Sequence, residues 1–189
     1  MNASIDISDV VLHTERLTLR PFRPSDVEDL YAYASVDGVG QMAGWLPHRT
    51  IADSAEILAS FIQSKKTFAI EYSSKCIGSV GIELYNEEAN PAYDALRCRE
   101  IGYVLSKDYW GRGIMPEAVQ AVLAYLFREV GLDAVFCGNF LHNTRSARVQ
   151  EKCGFRMIGY GTYETRFHTI EQTVERVLLR SEWESQNRT

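Results

Sequence analysis

Between Glu100 and Ala118 the chain reads EIGYVLSKDYWGRGIMPEA: a β-type run, a loop carrying Gly111 and Gly113, then a helix with Pro116 near its first turn. Proline suits that place because its missing N–H would have had no partner anyway. The remaining first-turn amides are free and lie at the positive end of the helix dipole, and the glycines let a ligand approach the backbone without a Cβ in the way. That is chemistry for a phosphate or pyrophosphate, with Arg112 at the rim, although a plain strand-to-helix turn uses the same residues. No Gly-Lys-Ser/Thr follows and GxGxxG is incomplete, so neither a P-loop nor a dinucleotide fingerprint is present. Cys76, Cys98, Cys137 and Cys153 form no CxxC pair, and His13, His48, His142 and His168 form no HExxH. Neither a metal site nor a redox dithiol is expected from them, and each cysteine reads as a small buried apolar residue.

The elements that must position this segment follow from periodicity. Leu17 and Leu19 alternate with polar residues in a strand stopped by Pro21 and Pro24. Ser25 and Glu28 suggest a capping box for a helix carrying Val27, Leu30, Tyr31 and Ala34. Residues 37–47 read as a long functional loop. A second helix has Ile51, Ala55, Leu58 and Ile62 on one face. Thr67–Tyr72 and Cys76–Tyr85 form a hairpin through Ser73, Ser74 and Lys75. Cys98–Leu105 is a strand, and Val119, Val122, Leu123, Leu126, Phe127 and Val130 stripe a strong helix ended by Gly131. Ala134–Gly138 is a strand, Thr144–Lys152 a short helix with Gly154 as its left-handed cap, and Phe155–Tyr163 and Thr173–Leu179 are two closing strands. The chain lacks a repeat or a linker, so one mixed α/β domain over 1–189 is expected, with 1–13 a flexible or edge tail.

Composition bounds the function. The chain has 189 residues, 46% hydrophobic and 24% charged, with a net charge of -5. An acidic balance argues against nucleic-acid binding by phosphate neutralisation and is compatible with a cationic substrate. No apolar run approaches the ~20 residues that cross a bilayer, and MNASIDISDV does not read as a signal peptide. A cytoplasmic location without membrane association is the expectation.

A second element lies further on, Asn143-Thr-Arg-Ser146-Ala-Arg-Val-Gln-Glu-Lys152-Cys-Gly154-Phe155. Together with ERLTLRPF at Glu15–Phe22 and EIGYVLSKDYWGRG in the middle, it resembles the GNAT superfamily of acyl-CoA-dependent N-acetyltransferases, in particular the branch of ribosomal-protein N-terminal acetyltransferases. The resemblance runs from about Thr14 to Trp183. It implies a mixed, mostly antiparallel sheet of about seven strands flanked by about four helices, with a splayed parallel strand pair holding coenzyme A. Residue by residue it implies that the backbone of Tyr103, Val104 and Leu105 bonds the pantetheine arm. The pyrophosphate would lie on the amides of Gly111, Arg112, Gly113, Ile114 and Met115. Asn143 would bond the CoA arm from the neighbouring strand's end, and Ser146 would sit near the thioester. Two positions depart from the pattern: Met115 replaces a small residue, and Gln150 stands where many relatives carry a tyrosine that protonates the leaving thiolate. That role then passes to Ser146, to Tyr160 or Tyr163, or to solvent.

Acetyl transfer needs a neutral amine, so a base must take a proton from the ammonium. Glu100, at the start of the strand that would hold the cofactor, is the leading choice, ahead of Glu83 and His142. Acetylation of Cys137 in a ping-pong scheme lacks any neighbour that would make a thiolate. Carbonyl polarisation would come from backbone amides of the splayed strand. The acceptor site is expected between the first helices, the loop at 37–47 with Met42 and Trp45, and residues 161–171. The resemblance implies acetyl-CoA as cosubstrate and a primary amine as acceptor: a protein N-terminus, a polyamine or an aminoglycoside-like amine. It leaves room for a homodimer. Two other classes compete: a silent acyl-CoA-sensing domain, for which Gln150 argues, and a nucleotide binder built on Gly111–Gly113.

Overall fold

The computed structural model describes residues 1–187. One sheet of eight strands has the order β1-β2-β3-β4-β5-β6-β8-β7. The strands are β1 Leu12–His13, β2 Thr18–Pro21, β3 Thr67–Tyr72, β4 Lys75–Glu83, β5 Cys98–Leu105, β6 Ala134–Phe140, β7 Arg156–Glu164 and β8 Ile170–Leu179. All neighbours run antiparallel except β5 and β6. The helices are α1 Val27–Ala34, α2 Ile51–Ser64, α3 Ile114–Tyr125, α4 Thr144–Lys152 and α5 Arg180–Gln186. A π-helical turn at Leu126–Val130 extends α3 to Gly131, whose φ of 75° ends it.

Both faces of the sheet are covered, and strand periodicity assigns each side chain to a face. In β3, Phe68 and Ile70 join the core under α3 with Leu19, Val80, Ile101, Val119 and Leu123, while Ala69 between them packs with Leu30, Tyr33 and Leu58 of α1 and α2. The hairpin between β3 and β4 turns on Ser73 and Ser74, both at positive φ (49° and 64°), as a two-residue turn matched to strand twist requires. The N-terminal stretch lies against this frame: Ala3 and Ile7 are buried and Asn2 bridges Cys98.

Several elements differ from the sequence reading. A 3-10 turn, Pro24–Asp26, leads into α1 in place of a Ser25 capping box: the Asp26 carboxylate accepts from the Arg23 amide at 2.7 Å and pairs with buried Arg20 at 2.8 Å, which fixes the turn. In α2 the buried residues are Ser54 and Leu58, whereas Ile51 and Ile62 are exposed, because the helix packs through the stripe ending at Phe61. Strand β8 begins three residues early, and α5 follows it, anchored by buried Trp183. No described helix is long and apolar enough to cross a membrane.

Candidate active site

The parallel pair β5 and β6 is in register only over Cys98–Glu100 against Ala134–Phe136. Beyond Glu100 the strands part. Tyr103, Val104 and Leu105 stay on β4 opposite Val80, Ser79 and Gly78, and β6 follows β8 through to Phe140. A Cβ at Gly78 would strike the Val104 carbonyl, so glycine permits this close strand approach. The parting opens a cleft of about 1440 Å³ lined from both faces of the sheet, by Glu100, Trp45 and Phe61 on one side and by Ile114, Ser146 and Val149 on the other. Trp110, at the head of the loop, donates its indole N–H to the Leu105 carbonyl at 2.9 Å and pins the end of β5 to the loop.

Gly111 and Gly113 adopt φ of 76° and 73°. Alternating left-handed glycines curl successive amides toward one point. Among the described residues, no acceptor of the chain takes up the amides of residues 111–115, and the first bond into α3 runs from the Glu117 amide to the Gly113 carbonyl. Arg16 braces the loop from behind, donating to the Arg112 carbonyl at 3.0 Å and pairing with Glu117 at 2.6 Å. Ile114 and Met115 turn their side chains into the core, at 2% and 5% exposure, so the larger residue at 115 leaves the loop's outer side clear. This arrangement can receive a diphosphate, with Arg145 stacked on Trp110 and Arg112 on Tyr109 nearby.

Across the cleft, Asn143 caps α4: its carbonyl accepts from the Ser146 amide at 3.2 Å, and its amide donates to the Met42 carbonyl at 3.3 Å. The residue expected to reach the CoA arm thus also ties α4 to the loop at 37–47. Ser146 Oγ lies 2.9 Å from Tyr103 Oη, and the Tyr103 hydroxyl also donates to the Ser146 carbonyl at 3.1 Å. Gln150 is fully buried. Its Nε2 donates to Ser146 Oγ at 3.2 Å and to the Gly138 carbonyl at 3.0 Å, and its Oε1 accepts from Arg176 at 2.9 Å. Arg176 also bonds Asn139. Burial holds the Tyr103 phenol well above its ordinary pKa.

Glu100 lies at the apex where the strands part. Burial, reinforced by the Glu175 and Glu83 carboxylates, pushes it up to about 7. Glu83 is directly opposite it on β4 and pairs with Lys66. Glu175, on β8 opposite Gly138, is seated against Gly138 and Gly161, where a Cβ would come within 3.0 Å of its carboxylate, and accepts from Thr173. Three carboxylates, Glu83, Glu100 and Glu175, therefore line the same cleft. Glu175 escaped the sequence reading; the signal available was an acid between Val174 and the apolar run Val177–Leu179 of a closing strand. The Tyr103 hydroxyl was missed because only its backbone was considered.

The remaining candidates divide. Met42 and Trp45 line the cleft, as do Tyr160 and Tyr163 on β7, both at its exposed rim. His142 is solvent-exposed, 3.9 Å from Glu171. Cys137 is buried and its thiol is held well above the ordinary range, which removes the nucleophile a ping-pong scheme needs. All four thiols are free and buried.

Residues 16–156 match a family profile described as an acetyltransferase (GNAT) domain. An uncharacterised N-acetyltransferase of Bacillus subtilis, YoaA, is 30% identical over 79% of this chain and 84% of its own. YdaF of the same organism, named as a candidate ribosomal N-acetyltransferase, is 26% identical over 91% of this chain and 96% of its own. A GNAT-family acetyltransferase structure from Bacillus anthracis superposes with a TM-score of 0.79 at 25% identity, covering 91% of this chain and 99% of the other.

Proposed function

The chain belongs to the GNAT acetyltransferases, enzymes that use acetyl-CoA, and we propose that it acetylates a primary amine by direct attack on the thioester in a ternary complex. One observation carries this reading: the strands part beside Glu100, with uncommitted loop amides on one side of the opening and a carboxylate-lined face on the other. The amides of Gly111–Met115 hold the diphosphate, and the parted edge of Tyr103–Leu105 offers peptide groups to the pantetheine. Bound this way, the thioester lies in the opening and the amine approaches from the side of Trp45 and Glu175. Glu100, with a pKa near 7, takes the proton of an incoming ammonium at neutral pH. The exposed N–H groups of the β5 edge polarise the carbonyl.

The acceptor is a cation before it reacts, which the acidic lining favours. The likeness to YdaF supports an N-terminal amine of a ribosomal protein as the first acceptor to try. The test is CoA release from acetyl-CoA with a panel of N-terminal peptides, polyamines and aminoglycosides. Turnover on at least one amine, reduced about 100-fold or more in Glu100→Gln, is expected. CoA binding without turnover on any amine would instead support a sensing domain.

A further inference from the structure

Position 150 poses a question the proposed chemistry leaves open. A thiolate departs when the tetrahedral adduct collapses, and Gln150 has no acidic proton to offer it. Both Nε2 hydrogens are already committed, to the Gly138 carbonyl and to Ser146 Oγ, and Oε1 is held by Arg176. The side chain is fully buried and cannot turn toward the cleft.

The same bonds have a direction. Gln150 can only donate to Ser146 Oγ, so that oxygen accepts there, and because the Tyr103 hydrogen is taken by the Ser146 carbonyl, the 2.9 Å contact between the two hydroxyls uses the Ser146 hydrogen. Tyr103 Oη then accepts from Ser146, and its single hydrogen points to the Ser146 carbonyl at 3.1 Å. That carbonyl is also the natural partner of the Gln150 amide one turn on in α4, so the phenol hydrogen can leave it without orphaning it. Tyr103 stands on β5 in the wall of the opening and lines the cleft together with Ser146.

We propose that Tyr103, reaching from β5 to Ser146 on α4, is a further catalytic residue: its hydroxyl donates a hydrogen bond to the departing sulfur. Gln150 and Arg176 are positioning residues that orient Ser146 toward it. The inference rests on the amine-acetylation reading above. In bond terms, the amine nitrogen forms the new N–C bond, the C–S bond breaks, and its electron pair stays on sulfur. The ammonium loses one proton to Glu100 before attack and the adduct loses a second to water. The sulfur takes one from water and Glu100 returns its proton to solvent, so one proton is released per turnover. The phenol supplies the hydrogen bond throughout and keeps its proton, which suits a group whose burial disfavours the phenolate.

The experiment compares two leaving groups in wild type and Tyr103→Phe: acetyl-CoA, and its selenium analogue, whose more acidic selenol departs with little assistance. With acetyl-CoA, Tyr103→Phe should lose about 100-fold in kcat, the usual cost of removing one donor from a developing anion, with KM for acetyl-CoA within about twofold. With the selenoester most of that loss should vanish, which a merely structural effect would not do. Equal losses with both substrates, a loss of CoA affinity alone, or wild-type activity in Tyr103→Phe would each overturn the assignment. Should that variant fold poorly, 3-fluorotyrosine at position 103 replaces it: a stronger donor should change kcat with acetyl-CoA and not with the selenoester, and no change overturns the proposal. If wild type itself turns over no amine, the acetylation reading fails, and that outcome is distinct from an active Tyr103→Phe.

Discussion

At the scale of single residues, Glu100 makes two expectations that pull in opposite directions. As a base it must be ionised, so kcat/KM should rise with pH and reach half its plateau near 7, and Glu100→Gln should lose that rise; a pH–rate profile checks it. For stability the sign reverses. The folded pKa lies above the unfolded value of 4.5, so the native state binds more protons between 4.5 and about 7, and stability falls as pH rises through that window. Glu100→Gln should therefore gain about 1–3 kcal/mol over wild type at pH 8 and little at pH 4, read from denaturant unfolding at the two pH values. A variant more stable and less active at the same pH would mark Glu100 as strained for function. Its place on the strand was readable from the motif; its strained ionisation was not, since Glu175 arrives from residues far along the chain.

At the scale of elements, the loop leading into α3 and the network behind α4 are the two supports of the cleft. Gly113→Ala forces a Cβ onto a left-handed backbone, although the space around it is open apart from Arg16 at 3.7 Å. The expected cost is about 1 kcal/mol of stability, with a rise in KM for acetyl-CoA larger than the change in kcat, because the loop's amides lose their aim. Arg176→Met leaves the buried amide oxygens of Gln150 and Asn139 without their donor and should destabilise by about 1–3 kcal/mol, measured by urea unfolding. Glycine spacing made the loop legible in the sequence. The Arg176 network was not, because three strands and a helix converge on it from distant segments, and periodicity describes one element at a time.

At the scale of the molecule, the sheet is well packed on both faces and interrupted at one place, where the parallel pair β5 and β6 lets go. The order of elements and nearly every strand could be read from alternation and turn residues. Strand β1 and helix α5 could not, since β1 has only two residues and α5 only seven, too short for a period to register. A ligand bridging the opening should couple the two halves of the sheet. CoA at about 100 times its dissociation constant contributes about 2.7 kcal/mol, which for a chain of this size should raise Tm by about 5–10 °C in a thermal melt.

The buried thiols bear directly on how turnover would be followed. Cys76 and Cys153 are pushed up to about 12 and Cys98 to about 11 by burial, and burial also holds Cys137 well above the ordinary thiol range. A colorimetric disulfide reagent added to the native protein should therefore see only the CoA that turnover liberates. The same reagent added during a urea titration should register four equivalents per chain as the cysteines emerge. The enzyme thus carries its own unfolding indicator, silent while it works.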